Sequence, residues 1–450
     1  MALNWTTQVI AEVLGGQHHG ESVPVHGMIH DTRLLSKGNL FLALKGANSD
    51  GHAHLAQARA AGASAALVAR PIDDPLPQIE VSDVLIAAGE LAAAWRASLD
   101  VQVVGITGSN GKTSVKEMVS AILSHAGKTL ATEGNYNNEI GVPITLSRLD
   151  ATHQYAVVEM GAARQGDIRY LSHLVKPHVG ILTNAGPAHL ESFGSIETIV
   201  QTKGELFATL SDDGTAIINA DSPYLRHWRD LAAHCHSIHF ALEHNAEFQA
   251  AVPNDYQMGD AIAITTPEGE FEMTLPLPGR HNVMNALASM AAAHALGIGA
   301  EQSLQALKEL SAVSQRLQIH RPDPDCVIVD DSYNANPAST QASIEVLSGF
   351  PGESWLVLGD MLELGDQASQ MHRDIGQQAK TAGIDRLLGF GPLAQHAVDG
   401  FGPDGVWFAD QASLIEALRL DRPTQVAILV KGSRSMRMDR VVAALLEGAA

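Results

Sequence analysis

Cysteine occurs only twice in 450 residues, at Cys235 and Cys326, and neither sits at a metal-ligand spacing. That excludes a disulfide framework and a cysteine-built metal centre, and it fits a reducing compartment. Basic residues are also scarce: 29 Lys and Arg stand against 50 Asp and Glu, a formal net charge of -21. A nucleic acid backbone would be repelled over most of such a surface, so no nucleic-acid partner is expected. No uninterrupted apolar run is long enough to span a bilayer. The opening MALNWTTQVIAEVLGG carries Glu12 among its apolar residues and stops at Gly15-Gly16, which reads as a short amphipathic helix and not as a signal peptide. A soluble, cytoplasmic protein without membrane insertion is the expectation. Internal repeats and low-complexity segments are missing too.

What is present points to several cores. The chain is 45% hydrophobic and 18% charged, ample for buried interiors and too long for one domain of ordinary size. Residues 1–82 mix short strand candidates (Asn39 to Leu44, Ala65 to Ala69) with an alanine-rich helix at His54 to Ala61 and close in a turn-rich stretch. From Val101, near-continuous apolar strands (VVGIT, YAVVEM, VGILTNA, TAIINA) alternate with helices at Ser114 to Ser124, Ile168 to Leu174 and Ile196 to Leu210. That pattern predicts a buried, mostly parallel sheet. A hairpin is expected within Ala261 to Leu277, followed by a long helix from Asn282 to Leu296. After Ser311 the alternation restarts with CVIVDDS, WLVLGDM, RLLGFG, VWFAD and VAILVKGS. The expected fold is α/β in three domains: a small N-terminal α/β unit (1–82), a central phosphate-loop-type domain with a mostly parallel sheet (83–313), and a C-terminal Rossmann-like domain (314–450).

The central strand runs into Gly105–Thr113, GITGSNGKT. Glycines let the backbone close round a phosphate, amides and the helix N-terminus face the anion, Lys112 adds a point charge, and the Thr113 hydroxyl can reach Mg²⁺. A standard Walker loop has glycine where this chain has Ile106, so this is a shorter variant. The strand before and the helix after supply the required context, against the alternative of a glycine turn with an incidental lysine. The contacts expected with a nucleotide triphosphate involve Gly108, Asn110, Gly111, Lys112 and Thr113.

Other candidates lie at strand ends. Glu159 closes YAVVEM at the carboxyl edge of the sheet, where ligands of parallel sheets collect, and following a phosphate loop it is a candidate Mg²⁺ ligand. His189, after VGILTNAGPAHL, is open to a metal or a phosphate contact. The pairs His18-His19 and His52/His54 lack companions at ligand spacing and read as solvated. Lys203, in the helix IETIVQTKGELF, reads as a solvated lysine on physical grounds alone; only desolvation and nearby positive charge would let it lose its proton and take up CO₂ as a carbamate. VIVDDSYNANPAS offers Asp330 and Asp331 for ribose hydroxyls and the two asparagines before Pro337 for a base edge, or else a plain Asx-rich turn. Asn282 and Asn285 suit helix capping or a base edge. The tail cluster Lys431, Arg434, Arg437 and Arg440 suits either an anionic substrate or surface ion pairs.

Together these segments resemble the Mur ligases over nearly the whole chain. DTRLLSKGNLFLALKGANSDGHAHL is similar to the family's uridine-binding first domain. ITGSNGKT, TEGNYNNEIGVPITL, VVEMGA, TNAGPAHLESFGS, TKGELF and LPGRHNVMNALA resemble the central ATPase domain, and DDSYNANPAS, VLGDMLELGDQA and KGSRSMRMD resemble the third. The Asp-Asn-Pro-Arg pattern of a diaminopimelate-adding member is absent. The resemblance therefore implies ATP-dependent joining of D-alanyl-D-alanine to UDP-N-acetylmuramoyl-tripeptide, by a monomer, with two Mg²⁺ ions. It implies that Lys112 holds the β- and γ-phosphates and that Thr113 and Glu159 bind one Mg²⁺. His189 and a carbamylated Lys203 would serve the second, completing a catalytic set with Lys112. Asn282, Arg316 and Asp331 would contact adenine, phosphate and ribose, Thr32, Arg33 and Asn48 the uridine end, and Asn137 and Asn138 the sugar-peptide. A guanine-reading Asn-Lys-x-Asp segment, which a phosphate-loop switch would need, is absent. A folate polyglutamate ligase would have no use for a uridine pocket.

Overall fold

The computed structural model describes residues 3–46, 49–253 and 256–447; Asn48 lies outside them. Nine strands form the central sheet in the order Gly269–Thr274, Ala261–Thr266, Phe248–Ala251, His236–Ala241, Thr215–Asn219, Val179–Leu182, Gln102–Thr107, Tyr155–Glu159 and Thr129–Ala131. The last seven are mutually parallel and the first two form the expected hairpin. The sequence pattern did not announce His236–Ala241, whose first residues are exposed and whose histidines break the apolar run.

Both faces of this sheet are covered, and the side chains divide by the period-2 rule of a strand. Val104, Ile106, Val157, Ile181 and Ile217 share one core with the helices Lys112–Ala126 and Arg280–Ala295. Val103, Val158, Leu182 and Ile218 share the other with Val84–Ala97, Asp167–Val175 and Ile196–Ala208. Each fully buried Val or Ile contributes about 1.5–3 kcal/mol. Ile106 is one of them, so the residue that replaces the Walker glycine belongs to the strand, and the phosphate loop begins only after Thr107.

The N-terminal unit has a five-stranded sheet, ordered Gln17–His19, Gln78–Glu80, Ala65–Val68, Leu40–Leu42 and Met28–Ile29, parallel except for the first strand. The amphipathic helix Thr7–Leu14 ends on Gly15 in the left-handed conformation, as the Gly-Gly stop implied. Helix Val84–Ala97 packs into both this unit and the central one: Leu91 and Trp95 share a core with Ile10, Leu40, Val103 and Leu171. Trp95 also donates to the Leu149 carbonyl at 3.0 Å. His52, expected to be solvated, is buried instead, with Nδ1 2.6 Å from Asp50 and Nε2 accepting from the Ala69 amide at 2.9 Å. The turn Gly51–His54 starts from Asp50, two residues before His52, and brings the ring to the Ala69 amide, a partner that sequence spacing does not display.

The C-terminal domain is a six-stranded sheet in the order Gln318–Asp323, Cys326–Asp331, Val426–Lys431, Glu353–Gly359, Arg386–Phe390 and Gly405–Phe408. Only the first strand is antiparallel. The register sets Asp331 opposite Lys431, at the carboxyl ends of adjacent strands. No helix among the described residues is long and apolar enough to cross a membrane.

Candidate active site

The central sheet reverses its direction of growth at Gln102–Thr107: later strands add on one side as Tyr155–Glu159 and on the other as Val179–Leu182. Ligands of open parallel sheets collect outside the carboxyl ends at such a switch point. Here the loop from Gly108 leaves the strand and enters the helix Lys112–Ala126. Gly108 (φ 152°) has the Thr183 hydroxyl 1.9 Å from where a Cβ would sit, and Gly111 (φ 81°) has Asn285 Oδ1 at 2.7 Å. Any side chain at either position would displace the loop. Asn184 braces it, accepting from the Asn110 amide (2.9 Å) and donating to the Asn110 carbonyl (3.1 Å). Lys112 Nζ donates to the Gly108 carbonyl at 2.8 Å. Burial pushes Lys112 below the usual lysine range, Glu159 opposes this and Arg316 adds to it.

A cleft of about 800 Å³ opens over this loop and takes side chains from the central and C-terminal domains. Glu159 is buried at its floor, one carboxylate oxygen accepting from Thr113 Oγ1 (2.9 Å) and the other from Asn137 Nδ2 (2.8 Å). Behind it, the Glu159 amide donates to Thr132 Oγ1 and buried Lys116 donates to the Thr132 carbonyl. Lys203 also lines the cleft and is buried, against the solvated reading. Burial, with the Lys112 cation added, pushes it well below the ordinary lysine range. Its helix is covered almost all round, residues 202–207 being buried without a break, so the amine faces the cleft and not solvent. No hydrogen bond or ion pair engages Lys203 among the described residues, whereas His189, at the mouth, pairs with Glu363 of the C-terminal domain.

Among the described residues no three His, Cys, Asp or Glu side chains converge as a metal site. A site made of Glu159 and the Thr113 hydroxyl nevertheless fits Mg²⁺, which keeps several waters and takes one or two carboxylates together with substrate phosphates.

The C-terminal domain reaches the phosphate loop directly. Arg316 Nη2 donates to Thr113 Oγ1 at 2.9 Å, and Asn336 Nδ2 donates to Asn110 Oδ1 at 2.7 Å. Arg316 stands between Gln315 (φ 62°) and Leu317 (φ 50°) and rests on the Tyr333 ring at 4.2 Å. Of six non-glycine residues with positive φ among those described, His189 and Leu317 line this cleft, while Gln315 precedes Arg316 and Glu363 pairs with His189. Such conformations cost about 1–3 kcal/mol each and persist where the surroundings hold them.

Of the sequence candidates, Asn110, Gly111, Lys112, Thr113, Glu159 and His189 line this one cleft. So do Lys203, Asn282, Arg316, Asp331, Asn137 and Asn138. Gly108 lies just behind, holding Lys112. Thr32 and Arg33 do not reach it; the exposed Arg33 pairs with Asp31 at 2.6 Å. Asn138 also ties the Gly141 amide at 2.9 Å. Asn282 and Asn285 lie inside the helix Arg280–Ala295, so neither is its cap; Asn282 donates to the Pro278 carbonyl and Asn285 to Asn282. In VIVDDSYNANPAS, Asp330 makes a turn with Ser332, while Asp331 lines the cleft and pairs with buried Lys431. The tail cluster disperses, Arg434 lying over Tyr333 and Arg437 pairing with Asp439. Tyr333, Asn184 and His281 escaped the sequence reading, because only the packing of distant segments brings them together.

Burial lowers His281 to about 4, with Asp331 opposing. A histidine held neutral in the fold and protonated from about 6.5 downward when unfolded lends full stability above that pH and loses it on acidification towards 4. Between pH 7 and 5 the unfolding free energy of the wild type should therefore fall about 2 kcal/mol more than that of His281→Gln in denaturant titrations.

Three family models match in sequence: "Mur ligase family, catalytic domain" over residues 24–96, "Mur ligase middle domain" over 106–293 and "Mur ligase, glutamate ligase domain" over 315–434. The chain is 42% identical to the UDP-N-acetylmuramoyl-tripeptide--D-alanyl-D-alanine ligase of Escherichia coli K12, over 98% of both chains. It superposes on MurF of Acinetobacter baumannii with a TM-score of 0.92 at 34% identity, covering 99% of each chain. It superposes on MurF of Thermotoga maritima in complex with ADP with a TM-score of 0.85 at 27% identity, over 94% of this chain and 98% of that one. With its three segments matched in order along one chain, and the phosphate loop in the middle segment, this protein belongs to the Mur ligase family.

Proposed function

We propose that this protein joins D-alanyl-D-alanine to UDP-N-acetylmuramoyl-tripeptide with conversion of ATP to ADP and phosphate. The observation that carries the reading is the single cleft in which the phosphate loop, Glu159, His189 and Lys203 meet Arg316 from the other domain. ATP phosphorylates the terminal carboxylate of the tripeptide, the dipeptide amine attacks the acyl phosphate, and phosphate leaves. The first step brings two anions together, and their repulsion at 4 Å is worth about 4 kcal/mol even at an effective dielectric of 20. Lys112 and Arg316 lower it, as donors already aimed where charge accumulates. Thr113 and Glu159 would hold one Mg²⁺, and His189 with a carbamate on Lys203 a second; bound there, the ions polarise phosphoryl oxygens and offset their charge. The low basicity of Lys203 favours the carbamate, since the free amine adds to CO₂ and releases one proton.

Asn282 and Asp331 are assigned to adenine and ribose, Arg316 to phosphate, Asn137 and Asn138 to the sugar-peptide, and Thr32, Arg33 and Asn48 to the uridine end. Residues 1–82, 83–313 and 314–450 then act as substrate-binding, ATP-binding and closing domains. Contacts across the cleft at Asn336–Asn110 and Arg316–Thr113 support a closed form that keeps water from the acyl phosphate. A cytoplasmic monomer making a peptidoglycan precursor, and so serving cell shape and division, completes the reading. Phosphate release is expected only with ATP, Mg²⁺, the UDP-muramoyl-tripeptide and D-alanyl-D-alanine all present. Equal release without the dipeptide would refute the assignment.

A further inference from the structure

The His189 imidazole is held from outside its own domain. Nδ1 lies against Glu363 Oε2, and the Glu191 amide donates to the Glu363 carbonyl at 3.1 Å, so backbone and side chain of one C-terminal residue clasp both ends of one short segment. His189 (φ 56°) and Glu363 (φ 65°) both adopt the left-handed conformation that bulky residues avoid. The loop that carries Glu363 is tethered at three points. The Leu362 amide donates to Ser433 Oγ (2.8 Å), the Met361 amide to Nε2 of buried His372 (2.9 Å), and the Ser433 amide to the Asp360 carbonyl (2.9 Å). His372 in turn donates from Nδ1 to the Ala368 carbonyl.

We infer that Glu363 is a positioning residue: from the C-terminal domain it fixes the tautomer and aim of His189, so that the second cation site is complete only when the two domains meet. A carboxylate can only accept, so Nδ1 carries the proton it shares with Glu363, and in the neutral imidazole Nε2 is the nitrogen with the lone pair. A lone pair suits a cation, whereas a phosphate oxygen would require an N–H. Nε2 has no other partner among the described residues. Ligating histidines ordinarily donate their second nitrogen to a carboxylate or carbonyl, and losing that partner costs 10- to 100-fold in metal affinity or activity. What is unusual here is that the partner arrives from another domain, which couples cation binding to closure.

This inference rests on the cation role proposed for His189, and the test separates the two. Mn²⁺ binding to the full-length protein is followed by electron paramagnetic resonance in the presence of a non-hydrolysable ATP analogue. Glu363→Ala is expected to weaken the looser of two Mn²⁺ ions by about 10- to 100-fold. Glu363→Gln, whose amide oxygen still accepts from Nδ1, should retain intermediate affinity, and His189→Ala should lose that ion. Wild-type affinity in Glu363→Ala alongside loss in His189→Ala would overturn the positioning role and leave the cation role standing. Unchanged binding in His189→Ala would remove both. If Glu363→Ala folds poorly, Glu363→Gln decides alone, binding equal to the wild type or as weak as His189→Ala counting against the inference.

Discussion

Lys112→Ala should abolish phosphate release, with kcat down by at least about 10²–10³-fold, the loss seen when one preorganised donor to developing charge is removed. The lysine is placed for this: it is half-buried, it rests on the Gly108 and Ser109 carbonyls, and Arg316 approaches from across the cleft. Lys112→Arg should fail nearly as badly. A planar guanidinium cannot stand in for a compact ammonium where the loop backbone closes round the charge, and Gly111 leaves no slack against Asn285. Single-turnover assays of ADP formation, with thermal unfolding as control, check this. Near-normal turnover in a folded Lys112→Ala protein would remove the phosphate-loop assignment and the mechanism built on it.

Lys203→Ala should be close to inactive, more than about 100-fold down, the upper end of what even outer partners of a metal site cost. The reason is the surroundings: a covered helix side, a neighbouring cation and no acceptor among the described residues leave an amine of lowered basicity. If the carbamate is the functional form, a small carboxylate such as acetate should restore part of the lost rate in Lys203→Ala. Growth of the wild type in ¹³C-bicarbonate buffer should also give a carbamate carbon signal that the variant lacks. Full activity in the unrescued variant would rule the carbamate out. An inactive variant that acetate does not rescue, with no carbamate signal in the wild type, would leave Lys203 acting as an amine.

The sequence displayed the parts of this protein whose physics is local. A strand-turn-helix with glycines at 108 and 111 announces its purpose because close backbone approach to an anion permits little else. Glu159 was visible at the end of a strand in the same sheet, and the alternation of apolar runs with helices carried the sheet order's general character. Lys203 was not visible, because one lysine in IETIVQTKGELF looks the same whether its helix face meets water or another helix. Nor was Glu363 visible, which matters through His189, 174 positions away in another domain, nor the contact that carries Asn336 to Asn110 of the phosphate loop. His52 was misread because the Ala69 amide is brought to it by the fold, while Asp50, two residues away, engages it through the turn Gly51–His54.

By itself, then, the chain determined a glycine-rich strand-turn-helix loop, three α/β units and a strongly acidic composition, all consequences of nearest-neighbour chemistry and periodicity. Tertiary structure alone decided that Lys203 is desolvated, that Arg316 and Asn336 touch the phosphate loop and that Glu363 holds His189. Burial and orientation are properties of the surroundings, and those surroundings come from segments that meet only when the domains pack.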